Sequence, residues 1–327
     1  MAEFMSKKVL IAVIFVVFVF LGSYFLFFSS PQAKGGTVRL VIPLKEERSV
    51  DYAINSLYEV GAIKNKTTFR FALAFYGLSG KIRPGAYVME SGVNAFALAS
   101  ELKTRDEKWM VIPEGLRKEE IGEMFAESFS WSDEELEKWA NEYTTVQNDY
   151  FEGVYFPDTY LMPVDDSPEK VAERMINRFN EKFAPYAEGF AKENIKWTTG
   201  LKIASLVQRE AAGKNDMPLI AGILWNRLLS NMKLEVDATL QYARGDAGNG
   251  WWARVTKDDK KLDSPYNTYM YEGLPPYPIA NPGIDAIEAV LYPEKTKCFF
   301  YLHDEDGQIH CAVTYEGHLE NINKYLK

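Results

Sequence analysis

The segment Leu201–Gly213, LKIASLVQREAAG, puts a carboxylic acid where an ionised carboxylate is costly. Laid out at about 100° per residue with Ile203 at zero, Val207 falls near 40°, Ala211 near 80° and Leu206 near 300°. Glu210 falls near 340°, inside this apolar stripe, while Lys202, Ser205, Gln208 and Arg209 lie on the other side. Desolvation raises a carboxyl pKa, as a general acid requires if it is to hold a proton near neutrality. Two other readings fit the same wheel: a structural carboxylate paired with a base such as Arg227, or a helix-end residue that is simply solvated.

Other carboxylates compete with it. Glu152 and Asp158 lie in the aromatic stretch FEGVYFPDTY, and Glu114 and Asp237 fall near expected element ends. Such positions suit caps and turns, although two-carboxylate glycan hydrolysis needs a second Asp or Glu at a set distance. There is no G-x-S-x-G, no phosphate-binding loop and no dinucleotide fingerprint. The three histidines and two cysteines form no Cys-x-x-Cys or His-Glu-x-x-His pattern, so the sequence shows no zinc site. His310 and His318 read as surface or structural. Tyr266, Asn267, Thr268, Tyr269, Pro275, Pro276 and Asn281 make a stiff polar-aromatic loop that suits sugar hydroxyls and N-acetyl groups, or merely covers the core.

These side chains need a scaffold, and the patterning describes an α+β one. Thr37 to Lys108 reads as a small βααβα-like unit without reactive clusters. A second region runs from a strand at Trp109–Pro113. Its helices are expected near Lys118–Ser128, Ser132–Tyr143, Pro168–Phe183, Leu201–Gly213 and Pro218–Leu229. Phe151–Tyr160 and Ser264–Pro282 read as loops, and Ala243–Asp263, with its Trp251–Trp252 pair, as a surface excursion. The chain closes with a helix, a hairpin turning at Asp304–Gly307, and a last helix.

Val9–Phe28 is twenty uncharged, mostly apolar residues, long enough to span a bilayer at ~1.5 Å per residue. Lys7 and Lys8 precede it, which favours a cytoplasmic amino end. A cleaved signal peptide is the competing reading, but no A-x-A-like site follows. Residues 1–8 are then a cytoplasmic end, 9–28 a transmembrane helix and 29–36 a linker, with the rest outside the cytoplasm. A Cys298–Cys311 disulfide is permitted there, as are two buried thiols. The 327 residues carry 37 basic and 46 acidic side chains, a net charge of −9 that argues against a nucleic-acid partner.

Ala204–Ala211 (ASLVQREA), Asn226–Leu228 (NRL), Asp237–Tyr242 (DATLQY), Ser264–Tyr269 (SPYNTY), Gly273–Pro276 (GLPP) and Ile279–Gly283 (IANPG) follow one another in order, after Ile112–Gly115 (IPEG) and Phe151–Tyr160. Across essentially the whole chain this series resembles the endolytic murein transglycosylases of the YceG-like (MltG) family. The resemblance implies one membrane helix, a small LysM-like subdomain at 37–108, a mixed α/β catalytic domain at 109–327, and no metal or organic cofactor. It implies cleavage of the MurNAc–GlcNAc β-1,4 bond within peptidoglycan strands, leaving 1,6-anhydro-MurNAc ends and terminating nascent strands near the synthases, from the outer face of the cytoplasmic membrane. The family's catalytic segment commonly carries two glutamates. Here the first position is Gln208, which leaves Glu210 as the acid. Ala312 stands where the family tends to carry an aromatic residue. Asn226, Gln241, Tyr242, Tyr266, Asn267, Thr268 and Asn281 are the candidates to hold the substrate's hydroxyl and N-acetyl groups. The alternatives are a two-carboxylate muramidase using Glu152 or Asp158 beside Glu210, and an inactive, membrane-tethered glycan-binding scaffold.

Overall fold

The structure is a computed structural model, and it describes residues 12–17, 22, 36–144 and 152–326. Residues 12–17 are helical and exposed, but most of the apolar span 9–28 lies outside the described residues. Among the described residues no helix is long and apolar enough to cross a membrane.

Among the described residues the protein is a mixed α and β structure with two small sheets, and it divides into two compact units. One comprises residues up to Met110 with Thr159–Asp165; the other comprises Val111–Asp158 and Asp166–Lys327. In the first unit the order is β1 (Gly36–Ile42), α1 (Ser49–Glu59), α2 (Lys66–Phe75), β2 (Gly85–Ser91), α3 (Ala95–Glu101), β3 (Glu107–Val111) and β4 (Thr159–Pro163). The four strands form one sheet in that order, with β1 and β2 antiparallel from Gly36↔Ser91 to Ile42↔Gly85. Its core is Leu40, Ile42, Ile54, Leu57, Phe69, Leu73, Tyr87 and Met89, the inward residues of each element. Both Asn65 and Asn94 cap a helix through their side-chain oxygens. β4 begins within the last two residues of the stretch read from sequence as loop, Phe151–Tyr160, and runs past it. Only a neighbouring strand far away in sequence makes that short segment a strand, and no local signal announces it.

The second unit is mainly helical: α4 (Lys118–Phe129), α5 (Asp133–Lys138) running into a π-turn at Trp139–Tyr143, α6 (Pro168–Lys192), α7 (Trp197–Glu210), α8 (Met217–Leu229), α9 (Asp237–Arg244), α10 (Ile284–Leu291), the hairpin β5 (Phe300–His303) and β6 (Ile309–Ala312), and α11 (Tyr315–Tyr325). α6 runs beyond the expected Phe183. Pro185 is exposed, and the stacked rings of Phe179, Phe183 and Phe190 carry the helix past it. α7 is the central element and packs on α6, α8, α9 and α10. Gly200 lets it lie directly on the Phe190 ring, since a β-carbon there would overlap that ring. The hairpin turns at Asp304–Gly307, with Gly307 at a φ of 76° that favours glycine. Cys298 and Cys311 are joined by a disulfide at a Cα–Cα distance of 5.9 Å. α11 packs back over the hairpin.

Candidate active site

Glu210 is the last residue of α7, not a mid-helix one. The helix stops there because Ala211 turns extended while Asp216 takes up the next amides. Its carboxylate accepts from Ala212 N–H at 3.0 Å and Gly213 N–H at 3.2 Å. Asp216 is steadied in turn by His303 Nε2 at 2.7 Å.

This helix end is not simply solvated. The Glu210 side chain lies among α7, α9 and β5. The Tyr301 hydroxyl donates to Glu210 Oε2 at 2.6 Å, and the backbone N–H of Ala238, in the first turn of α9, donates to the same carboxyl group. Burial pushes the Glu210 pKa up. The Tyr301 bond opposes this, Asp237 adds to it, and Ala238 N–H and His303 oppose it. The group is therefore a desolvated acid with two donors ready to receive its anion.

It also has an opening. A cavity of about 410 Å³ is lined by Glu210, Asp237, Tyr269, Tyr301, Arg227 and His318, with Glu235, Leu234, Phe300 and Tyr315 completing the wall. Arg227, named from sequence as a possible ion partner of Glu210, does something else. Its guanidinium donates to the carbonyls of Phe299 at 2.6 Å, Lys233 at 3.1 Å and Leu234 at 2.8 Å, and pairs with Glu235 at 3.3 Å. It thereby ties the hairpin to the end of α8 and forms one wall.

None of the seven sugar-binding candidates lines this cavity, and they are not one cluster. Asn226 donates to the carbonyls of Thr296 and Cys298, each at 3.0 Å, and Gln241 to those of Trp252 and Ala253 at 2.9 and 3.2 Å. Asn267 is fully buried. Its oxygen accepts from Tyr269 and Met270 N–H, and its amide donates to Lys260 and Leu262 carbonyls. Thr268 Oγ1 accepts from Val236 N–H at 3.0 Å and meets Thr239 Oγ1 at 2.9 Å. These two residues set the loop that carries Tyr269 to Asp237, where its hydroxyl donates to Oδ1 at 2.7 Å.

Asn281, Tyr242 and Tyr266 gather elsewhere, around Glu152. Asn281 Oδ1 accepts from Gly153 and Tyr155 N–H at 3.0 and 2.9 Å, and its amide donates to Glu152 Oε1 at 2.6 Å. Lys118 N–H at the start of α4 donates to Glu152 Oε1 at 3.0 Å, and the Tyr242 hydroxyl reaches Oε2 at 3.4 Å. The Tyr242 and Tyr266 rings sit 4.8 Å apart. Glu152 is only 3% exposed, and burial followed by the charge of Glu119 pushes its pKa to about 8. Asp158, the other proposed second carboxylate, pairs with Arg178 at 2.7 Å. Neither residue lines the Glu210 cavity.

Gln208 points away from that cavity. Its Oε1 accepts from Gly283 N–H at 3.0 Å while its side chain hydrogen-bonds Glu114, whose pKa is raised by burial and by Asp285. An amide can do both, accepting from Gly283 and donating to Glu114; a carboxylate there would repel Glu114. The tryptophan pair leans on its own domain. Arg117 stacks over Trp251 at 4.5 Å, and Arg209 over Trp252 at 3.7 Å. His310 is held by Asp304 at 2.7 Å and stacks on Tyr325. Among the described residues no three His, Cys, Asp or Glu side chains come together as a metal site.

A cavity walled by the acid Glu210, two further carboxylates, three phenols and one imidazole is the kind of site that handles a hydroxyl-rich substrate. The YceG-like family profile matches residues 42–324, and the chain belongs to the YceG-like family. It is 29% identical to an endolytic murein transglycosylase of Bacillus subtilis (strain 168) over 94% of this chain and 91% of that protein. It is 33% identical to an endolytic murein transglycosylase of Streptococcus pneumoniae serotype 2 (strain D39 / NCTC 7466) over 54% of this chain and 32% of that protein. A crystal structure of a YceG-like protein from Listeria monocytogenes superposes with a TM-score of 0.60 at 25% identity, covering 88% of this chain and 99% of that one.

Proposed function

We propose that this chain is a lytic transglycosylase that cuts the glycan strands of peptidoglycan, with Glu210 as its acid and then its base. The observation that carries the reading is a desolvated carboxyl group, raised in pKa, open to a cavity and hydrogen-bonded by Tyr301 and Ala238. Family membership and the activity named for the relatives point the same way.

The mechanism follows from one group acting twice. Protonated Glu210 donates to the glycosidic oxygen, and the C1–O bond breaks as the MurNAc ring gains oxocarbenium character. Tyr301 and the Ala238 N–H receive the new carboxylate with donors already in place, so little reorganisation is needed. The carboxylate then takes the proton of the MurNAc C6 hydroxyl, whose oxygen closes onto C1. The 1,6-anhydro end forms, the acid is restored, and no water is consumed.

The finer features belong to the same proposal. Residues 9–28 anchor the chain in the cytoplasmic membrane, residues 37–108 are a LysM-like subdomain, and the catalytic part works on the outer face. There it ends nascent strands beside the synthases that extend them. The Cys298–Cys311 disulfide supports an oxidising compartment. Mass spectrometry of products from purified glycan strands tests the reaction. Anhydro ends, one water lighter than reducing ends, are expected. Reducing ends would mean a hydrolase, and intact strands a glycan-binding scaffold.

A further inference from the structure

Asp237 reads from sequence as a helix cap, yet it lines the same cavity as Glu210. It is the first residue of α9, and Ala238 beside it supplies the N–H that Glu210 accepts. Both carboxyl groups therefore share one helix amino terminus, whose dipole favours negative charge within its first turn. The Tyr269 hydroxyl donates to Asp237 Oδ1 at 2.7 Å, a bond that fixes the carboxylate's orientation. Tyr269 is itself held in place by the buried Asn267 amide. No cation neutralises Asp237 by a direct ion pair among the described residues; the nearby Arg227 is committed to Glu235 and three carbonyls. The fold thus spends a helix terminus, a phenol and a stiff loop on keeping one anion beside the acid.

We infer that Asp237 is a second catalytic residue of the transglycosylase reaction, an oriented anion that stabilises the positive charge developing at C1. This rests on the function proposed above and extends it. Breaking the glycosidic bond spreads positive charge over C1 and the ring oxygen, and a fixed carboxylate on the cavity wall lowers the energy of that state more than of the neutral ground state. The same charge discourages Glu210 from ionising before substrate arrives. Asp237 forms no bond to the sugar and accepts no proton, so the reaction still closes on the C6 oxygen.

The test is Asp237→Asn in the full-length chain, assayed for anhydro-sugar release over pH. Asparagine keeps the acceptor for Tyr269 and removes only the charge. The expected result is a fall in kcat of about 10²–10³-fold with KM changed less than about threefold, and an alkaline limb of the kcat/KM profile displaced to lower pH. The groups facing Glu210 or its cavity are Asp237, Glu235 before α9, Arg209 on α7, Arg227 on α8, Tyr269 on its loop, Tyr301 and His303 on β5, and Tyr315 and His318 on α11. Only the first is altered. Tyr269→Phe, which removes the hydrogen bond and keeps the charge, is expected to lose less than Asp237→Asn. A folded Asp237→Asn protein with wild-type kcat and an unmoved alkaline limb overturns the inference. A wild-type protein that yields no anhydro product overturns the function on which it rests, so the two failures are distinguishable.

Discussion

Glu210 and Glu152 are both glutamates taken out of water, both raised in pKa by burial above all, and both bonded to a phenol and to an amide N–H at a helix amino terminus. They differ in what remains around the carboxyl group. Glu152 receives Lys118 N–H, the Asn281 amide and the Tyr242 hydroxyl, and is 3% exposed. Glu210 receives one phenol and one N–H and faces a cavity of about 410 Å³. Desolvation alone therefore does not mark a catalyst; desolvation together with an open path to the carboxyl does. Glu152 is instead a pin. It fastens the start of α4, the Asn281 loop and α9 to one point.

The two residues should respond oppositely to substitution. Glu210→Gln keeps an acceptor for Tyr301 and Ala238 N–H, so its Tm should stay within a few degrees of wild type or rise. Anhydro-sugar release should fall by at least ~10³-fold, because the Tyr269 and Tyr301 phenols at the cavity, pushed up by burial, are far too weak as acids to replace it. Near-wild-type release would remove Glu210 from the mechanism. Glu152→Ala should do the reverse. It strands Lys118 N–H and the Asn281 amide in a dry interior, at a cost of about 2–4 kcal/mol in unfolding free energy. Activity measured below the lowered Tm should stay within about tenfold. A stable Glu152→Ala protein would mean that water replaces the carboxylate and that the pin is dispensable.

Tyr301→Phe sharpens the other side of the comparison. The lost hydrogen bond favoured the anion of Glu210. Its removal should raise the pKa of the acid and move the alkaline limb of the kcat/KM profile to higher pH. The resulting base is also less well held during C6 deprotonation, so kcat should fall by roughly tenfold. An unmoved limb would mean that the Tyr301 bond does not act on the proton of Glu210.

Part of this arrangement is legible in the chain before folding. The 3.6-residue period of Leu201–Gly213 places Glu210 on the buried face, and the turn chemistry of Asp304–Gly307 places the hairpin. The cavity is less legible, because its wall is assembled from afar. Tyr301 and Phe300 come from a hairpin and His318 from the last helix, and no local period records that they meet α7. The polar loop misleads for a related reason. Asn267 and Asn281 are the chemistry a sugar would want, but a proline-rich loop folded into the protein must satisfy its own backbone, and these amides do so. Asp237 misleads in the opposite sense. The first position of a helix suits a cap, and only its distant neighbours Tyr269 and Glu210 give it another use.

The smallest effect concerns pH and stability, and its sign follows from Glu152. Its ordinary value of 4.5 is pushed to about 8 in the folded protein by burial and by Glu119. Between those values the folded state holds a proton that the unfolded chain has released. The associated stability is fully present below about pH 4.5 and is lost as pH rises through 8. Tm should therefore decline from pH 5 to pH 9, and Glu152→Gln, which stays neutral throughout, should flatten the decline by several degrees. Glu210 has a shift of the same direction, so Glu210→Gln should flatten the slope as well, and the double variant should flatten it further than either alone. Its cavity admits water, which softens the penalty of ionisation, so Glu210 is expected to account for the lesser part. If Glu152→Gln leaves the slope untouched while Glu210→Gln abolishes it, then the sealed carboxyl is not the one that holds its proton, and the roles assigned to the two burials must be exchanged.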